Sequence, residues 1–81
     1  MGMLILYIYD IKAKNRKKYN RVKRRFYYHL NKLPLKKENW KTKSTIAVRG
    51  NLETVLDSFF RQFGRSVEVY KIHAETIEEL E

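Results

Sequence analysis

Lysines and arginines between residues 14 and 25 are the first feature of this sequence with evident chemistry. The chain carries 18 Lys and Arg against nine Asp and Glu, a formal net charge of +9 over 81 residues. An excess of that size makes a polyanion or an anionic membrane surface the natural partner. Alternatively, these cations form only a solvated helix face. We predict nucleic-acid phosphate contacts from Arg16, Lys17, Lys18, Arg21, Arg24 and Arg25.

Groups suited to acid-base or metal chemistry are sparse. Asp10 stands alone at the end of an apolar run from Met3 to Tyr9, where an aspartate can accept backbone N–H bonds and cap a turn. His29 and His73 have no ligand or triad partner at useful spacing. The chain has no cysteine, which excludes disulfides, zinc-finger spacing and a thiol nucleophile. That composition fits a reducing cytoplasm, where we expect the protein.

Two segments must position these groups. The run from Met3 to Ile11 is apolar on both alternating faces, which predicts a strand at the centre of its sheet, covered on both sides. From about Lys14 to Leu33, apolar residues recur at helical spacing among the cations, which predicts an amphipathic helix that Pro34 ends. We expect the apolar stripe of this helix to pack on a sheet rather than to lie on a membrane surface.

The second half of the chain repeats the alternation of strand and helix. Residues 35–43 predict an edge strand or turn, with Trp40 as a packing anchor rather than a base-stacking platform. Thr42 to Val48 has strand composition, and Asn51 is expected to cap a second helix that Gly64 ends. The last strand is expected from Ser66 to His73, before an acidic tail over residues 74–81. The tail could reach a partner chain or fold over the basic surface of its own chain.

The predicted order is strand, helix, weak strand, strand, helix, strand. Two split βαβ units of this kind give an α+β ferredoxin-like βαββαβ sandwich, in which two helices cover one face of a four-stranded antiparallel sheet. We expect one domain over residues 1–81, and a dimer, because so short a chain buries a thin core. No segment is long and apolar enough to span a bilayer, so no membrane association is predicted.

The first strand also resembles the first motif of an RNA-recognition module, in which an exposed aromatic side chain stacks on a base. The segment Thr45 to Val48, which should supply further rings, has none. We therefore expect Tyr7 and Tyr9 to be buried against a second sheet.

More of the chain resembles the CRISPR-associated protein 2 family. The resemblance begins with the apolar start that ends in Tyr9-Asp10-Ile11 and continues into the basic helix. It extends through Lys43 to Gly50, which is similar to a family strand ending in Val-Phe-Glu-Gly, and through Ser66 to Ile72, which is similar to the last core strand. The chain departs from that pattern at Arg49, where the family has Glu.

The resemblance implies a homodimer whose two sheets pack face to face and bring two Asp10 carboxylates near the dimer axis. It further implies Asp10 as a catalytic residue and as a ligand of Mg²⁺, in a metal-dependent endonuclease acting on RNA or DNA. Members of the family also form the scaffold of the CRISPR integrase complex, so the integrase subunit is an implied partner. The alternative is a non-catalytic nucleic-acid-binding or regulatory module on the same fold.

Overall fold

The computed structural model describes residues 3–81, which form one four-stranded sheet and two α-helices. The elements in chain order are β1 (Leu4–Ile11), α1 (Arg16–Leu30), β2 (Trp40–Thr42), β3 (Thr45–Arg49), α2 (Glu53–Arg61) and β4 (Val67–Ala74). Short 3₁₀ turns at Lys37–Asn39, Gly50–Leu52 and Gly64–Ser66 lie before β2, α2 and β4. Neither α-helix in this part of the chain has the length and hydropathy needed to cross a membrane.

The sheet has the strand order β2-β3-β1-β4, and every neighbouring pair is antiparallel. β1 is central, with Ile8 opposite Thr45 of β3 on one side and opposite Tyr70 of β4 on the other. The strand order and the two helices are those of the ferredoxin-like α+β sandwich, which confirms the predicted fold class.

The core lies between one face of the sheet and the two helices. Successive side chains of β1 point to opposite faces, so Ile5, Tyr7, Tyr9 and Ile11 are buried while the residues between them are half-buried or exposed. Tyr7 stacks on Phe60 of α2 with ring centroids 5.3 Å apart. The expectation that Tyr7 and Tyr9 pack against a second sheet is therefore wrong, because the helices cover them.

Phe26 of α1 is the centre of this aromatic core. It is fully buried, and its ring centroid lies 4.9 Å from that of Tyr9 and 5.1 Å from that of Phe59. Phe63, just beyond α2, lies 5.2 Å from the same ring. Phe26 therefore joins β1, α1 and the α2 segment in one packed cluster, which holds α1 in a fixed orientation.

The ends of the helices differ from the predicted ones. α1 begins at Arg16 rather than near Lys14 because the Asn15 side chain accepts a hydrogen bond from the Lys18 backbone N–H at 2.8 Å and caps the helix. The prediction that Asn51 caps the second helix is wrong: it lies in a 3₁₀ turn, and α2 begins at Glu53. α2 ends at Arg61, before the predicted stop at Gly64, which begins the next 3₁₀ turn with a left-handed φ of +55°.

The segment between α1 and β3 contains both of the structures predicted for it. A 3₁₀ turn leads into β2, an edge strand of three residues. Trp40 packs against the core, with its ring 6.4 Å from that of Tyr9, as expected of an anchor. β4 extends to Ala74, and the acidic tail returns to the β2 side of the sheet, where half-buried Ile77 lies beside Lys41.

Candidate nucleic-acid interface and the Asp10 site

A basic groove lies along the exposed side of α1. The helix turns its apolar stripe of Val22, Phe26 and Leu30 toward the core, and this leaves the opposite side in solvent. No residue of α1 is acidic, and all of its lysines and arginines are exposed. The groove has a volume of about 520 Å³, and we call it the α1 groove; its lining residues are Lys17, Arg21, Arg24, Arg25 and Tyr28.

The cations of the α1 groove are not neutralised by acids of the chain. Within residues 3–81, no ion pair connects a lysine or arginine of α1 to a carboxylate. Arg25 makes a cation–π contact, since its guanidinium carbon lies 5.0 Å from the centroid of the Phe63 ring. Lys17, Arg21 and Arg24 therefore present their charges to solvent along one side of the helix.

The structure brings together four of the six cations predicted to bind phosphate. Lys17, Arg21, Arg24 and Arg25 line the groove, whereas Arg16 and Lys18 belong to α1 but do not line it. Sequence reasoning missed Tyr28. Its signal was present, because Lys17, Arg21, Arg24 and Tyr28 are spaced by four, three and four residues, which places them on one helical stripe.

Asp10 lies on the face of the sheet that the helices do not cover. Its side chain is 66% exposed, and its carboxylate forms an ion pair with Lys12, whose Nζ lies 2.9 Å from Asp10 Oδ2. The hydrogen bond to Asp10 raises the pKa of Lys12 above its ordinary value. The turn-capping role considered for Asp10 is not observed, since Asn15 caps α1. Opposite Asp10 on β4 stands a second acid, Glu68.

Few metal-ligating side chains surround Asp10 within residues 3–81. No three histidines or carboxylates of residues 3–81 come close enough together to hold an ion. The nearest partner of Asp10 is a lysine, which repels a cation, and Glu68 is itself exposed. At a Mg²⁺ site here, carboxylates from a second chain would add to Asp10 and Glu68, and Lys12 would have to move away.

The same uncovered face carries an apolar patch. We use the name open face for the side of the sheet formed by Leu6, Ile8, Asp10, Tyr70 and Ile72. Ile8, Ile72 and Tyr70 are 37%, 43% and 60% exposed, respectively. Register places Leu6 opposite Ile72 and Ile8 opposite Tyr70, so these four side chains form one contiguous surface that leads to Asp10.

A cluster of titratable groups, also missed from the sequence, lies between α2 and β4. The Tyr7 hydroxyl donates a hydrogen bond to Asp57 Oδ1 at 2.7 Å, and Lys71 Nζ contacts Asp57 Oδ2 at 3.0 Å. Lys71 also pairs with Glu53, whose Oε2 lies 3.4 Å from His73 Nε2. The cluster borders a cavity of about 390 Å³ that is also lined by Phe60, Arg61 and Val69.

Burial and the contacts within this cluster shift the pKa values of Tyr7, Asp57 and Glu53. Burial, and then the hydrogen bond to Asp57, raise the pKa of Tyr7. Partial burial acts to raise the pKa of Asp57, but the hydrogen bonds from Tyr7 and Lys71 outweigh it, so this pKa is lowered. The hydrogen bond from Lys71 likewise lowers the pKa of Glu53. These groups form hydrogen bonds and ion pairs with one another, which indicates that the cluster connects α2 to β4 structurally.

Comparisons with protein-family models, with characterised proteins and with solved structures found no match to this chain. The resemblance to the CRISPR-associated protein 2 family therefore remains a prediction from the sequence. The geometry of the α1 groove and of the open face is the basis on which function can be argued.

Proposed function

We propose that this protein binds nucleic acid through the α1 groove. The observation that carries the proposal is that Lys17, Arg21 and Arg24 line one exposed groove on a helix without a single acidic residue. Cations that have no internal partner lose little on contacting phosphate, and each contact releases counterions from the polymer. The excess of nine positive charges adds long-range attraction for a polyanion.

The proposal is tested with two triple variants of equal charge. The groove variant carries Lys17→Gln, Arg21→Gln and Arg24→Gln, and the control variant carries Arg16→Gln, Lys18→Gln and Lys23→Gln in the same helix. Fluorescence anisotropy with a labelled oligonucleotide measures the affinity. We expect the groove variant to bind about 100-fold more weakly at roughly 0.1 M salt, since each lost contact costs about fivefold.

The control variant separates a binding site from a general charge effect. It should bind no more than about fivefold more weakly than wild type, the contribution of roughly one contact. Equal losses in the two variants would show that only net charge matters. Binding to anionic vesicles in preference to oligonucleotides would favour a membrane-surface role instead.

The biological setting that we propose is CRISPR adaptation in the cytoplasm, with the protein acting as a homodimer beside the integrase subunit. The sequence resemblance supports this setting, and the apolar open face supports a dimer, since a second copy would cover Ile8, Tyr70 and Ile72. A non-catalytic regulatory module with the same groove is the alternative. The two differ in whether integrase binds, which co-purification of the two proteins would test.

Metal-dependent endonuclease activity is a second candidate function. It is favoured by the exposure of Asp10 beside the apolar patch, where the carboxylates of two chains could approach each other. We expect cleavage of RNA or DNA only with Mg²⁺ present, and loss of cleavage in Asp10→Asn. Gel assays should compare this variant with Glu38→Gln, which also removes one exposed carboxylate but lies near the β2 edge.

The cleavage assay has two clear negative outcomes. If wild type and Asp10→Asn cut equally, the activity does not depend on Asp10, and a contaminating nuclease becomes the first explanation to test. If neither cuts while both bind, the catalytic candidate is lost, and binding through the α1 groove stands alone.

A further inference from the structure

We propose that the α1 groove takes single-stranded nucleic acid and that Tyr28 stacks on one of its bases. This inference rests on the proposed function, because it names the polymer that the same groove binds. It is carried by an exposed aromatic ring among the cations of the groove, a feature that phosphate binding alone does not need.

Tyr28 differs from its aromatic neighbours in α1 by its exposure. Phe26 is fully buried and Tyr27 packs against the core, whereas Tyr28 is 60% exposed and lines the groove. Its contacts are local: Lys32 Nζ donates to its hydroxyl at 2.9 Å and lies 4.1 Å from the ring centroid. The His29 ring meets it edge to face at 5.2 Å. Tyr28 is thus held in place by its neighbours without being part of the core.

An exposed ring in a basic groove distinguishes single strands from duplexes. Base pairs hide the faces of their bases in the stack, whereas a single strand can lay a base on an aromatic side chain while its phosphates contact lysine and arginine. Stacking of this kind is tolerant of sequence, because every base has a π-face. Tyr28 would therefore add affinity for single strands but little for a duplex.

The length of the groove fits a short stretch of one strand. Lys17 and Tyr28 are eleven residues apart, or roughly 16 Å along the helix at about 1.5 Å per residue. At about 3.4 Å per stacked nucleotide, this distance corresponds to about five nucleotides. Arg21 and Arg24 lie between the two ends, so phosphate contacts can precede the stacked base along the strand.

The chain offers a matched control for Tyr28. Tyr19 is another tyrosine of α1, and it precedes Tyr28 by nine positions, about two and a half turns, which places the two side chains on opposite sides of the helix. Tyr19 is 36% exposed and does not line the groove. Tyr19→Ala and Tyr28→Ala therefore remove the same side chain from the same helix, but only one of them alters the groove.

Anisotropy titrations should use a labelled single strand, as DNA and as RNA, and the blunt duplex of the same sequence. We expect wild type to prefer at least one of the single strands. Tyr28→Ala should weaken single-strand binding by about 5- to 150-fold, the range for loss of one stacked base. Tyr28→Phe should keep the affinity, because it keeps the ring, and Tyr19→Ala should match wild type. Thermal unfolding checks that each variant is folded.

Failure of this inference can be told apart from failure of the proposed function. If duplex binds as tightly as both single strands, or if Tyr28→Ala binds like wild type, the stacking inference is overturned, whereas sensitivity to the groove variant would still support phosphate binding. If no oligonucleotide binds in a salt-dependent manner, both are overturned. Because Tyr28→Ala removes no charge, its salt dependence should equal that of wild type, and a shallower dependence would also contradict stacking.

Discussion

The hydroxyl group of Tyr7 is the polar end of an otherwise buried side chain. The residue is 2% exposed, and its hydroxyl hydrogen bonds to a carboxylate, Asp57, at 2.7 Å. Hydrogen bonds to charged groups contribute more to stability than neutral ones, and leaving such a group without its partner is costly. Tyr9 provides the comparison, because its hydroxyl has two neutral partners, the Tyr27 hydroxyl and the Lys43 backbone carbonyl, each at 3.0 Å.

Tyr7→Phe is expected to lower the free energy of unfolding by about 2 kcal/mol at neutral pH, because the charged Asp57 loses a donor. Tyr9→Phe should cost about 2 kcal/mol, roughly 1 kcal/mol for each of its two neutral hydrogen bonds. Urea unfolding followed by circular dichroism measures both variants. A cost for Tyr7→Phe of no more than half that for Tyr9→Phe would show that the carboxylate adds nothing to the Tyr7 hydrogen bond.

Among single residues, the sequence predicted groups that form a pattern with their neighbours in the chain. It missed groups whose contact partners are distant in the chain. The α1 cations could be predicted because they lie close together in the chain and repeat at helical spacing. The pairing of Tyr7 with Asp57 could not, since 50 residues separate them and neither lies in a motif. The packing of α2 on the sheet brings these two groups into contact, and the register of β1 against β4 places Lys71 opposite Tyr7 beside them.

At the scale of elements, the ion pairs of Lys71 connect the edge strand β4 to α2. Asp57 and Glu53 have folded-state pKa values below their ordinary values of 3.8 and 4.5. Groups whose pKa is depressed by folding contribute stability above their unfolded pKa, and that contribution is lost as the pH falls through the folded pKa. The free energy of unfolding should therefore decrease as the pH falls below about 4.5.

Lys71→Met tests this connection, because it removes the ammonium group and keeps most of the aliphatic stem. We expect it to destabilise the protein at pH 7, and we expect its difference from wild type to narrow at acid pH, where Asp57 and Glu53 become protonated. Urea unfolding across the acid range measures both effects. A difference that stays constant with pH would indicate lost packing rather than lost ion pairs.

The predictable elements were those with a strong apolar period. Apolar residues that alternate, or recur at helical spacing, over a long segment predicted β1, α1, α2 and β4. β2 has three residues, too few to show a period, and its position depends on Trp40 reaching the ring of Tyr9. The start of α2 was misplaced because Asn51 has the residue type of a helix cap but lies in a 3₁₀ turn.

At the scale of the whole molecule, the two sides of the sheet differ in what covers them. The helices cover one side of the sheet except near the end of β4, where Lys71 and His73 stay exposed, and they present the α1 groove to solvent. The open face, in contrast, keeps Ile8, Tyr70 and Ile72 in contact with water. The tail shields the sheet only on the β2 side, where Ile77 lies beside Leu4 and Ala47. A second copy of the chain, packed face to face, would remove the remaining apolar surface from water.

Ile72→Glu tests the dimer, because it places a charge at the centre of the open face. We expect light scattering to report a dimer for wild type at micromolar concentration and a monomer for this variant. Val55→Glu is the matched control, since Val55 is 38% exposed on α2, away from the open face. A monomeric wild type, or dimers in both variants, would contradict dimerisation through this face.

The salt dependence of binding shows whether the α1 groove contacts nucleic-acid phosphates. The measurement is the slope of log affinity against log salt concentration for a single-stranded oligonucleotide, in wild type, the groove variant and the control variant. For single strands each phosphate contact contributes about −0.7, so the groove variant should have a slope shallower by about 2, while the control variant should stay within about 0.7 of wild type. A groove variant whose slope equals that of wild type would contradict the claim.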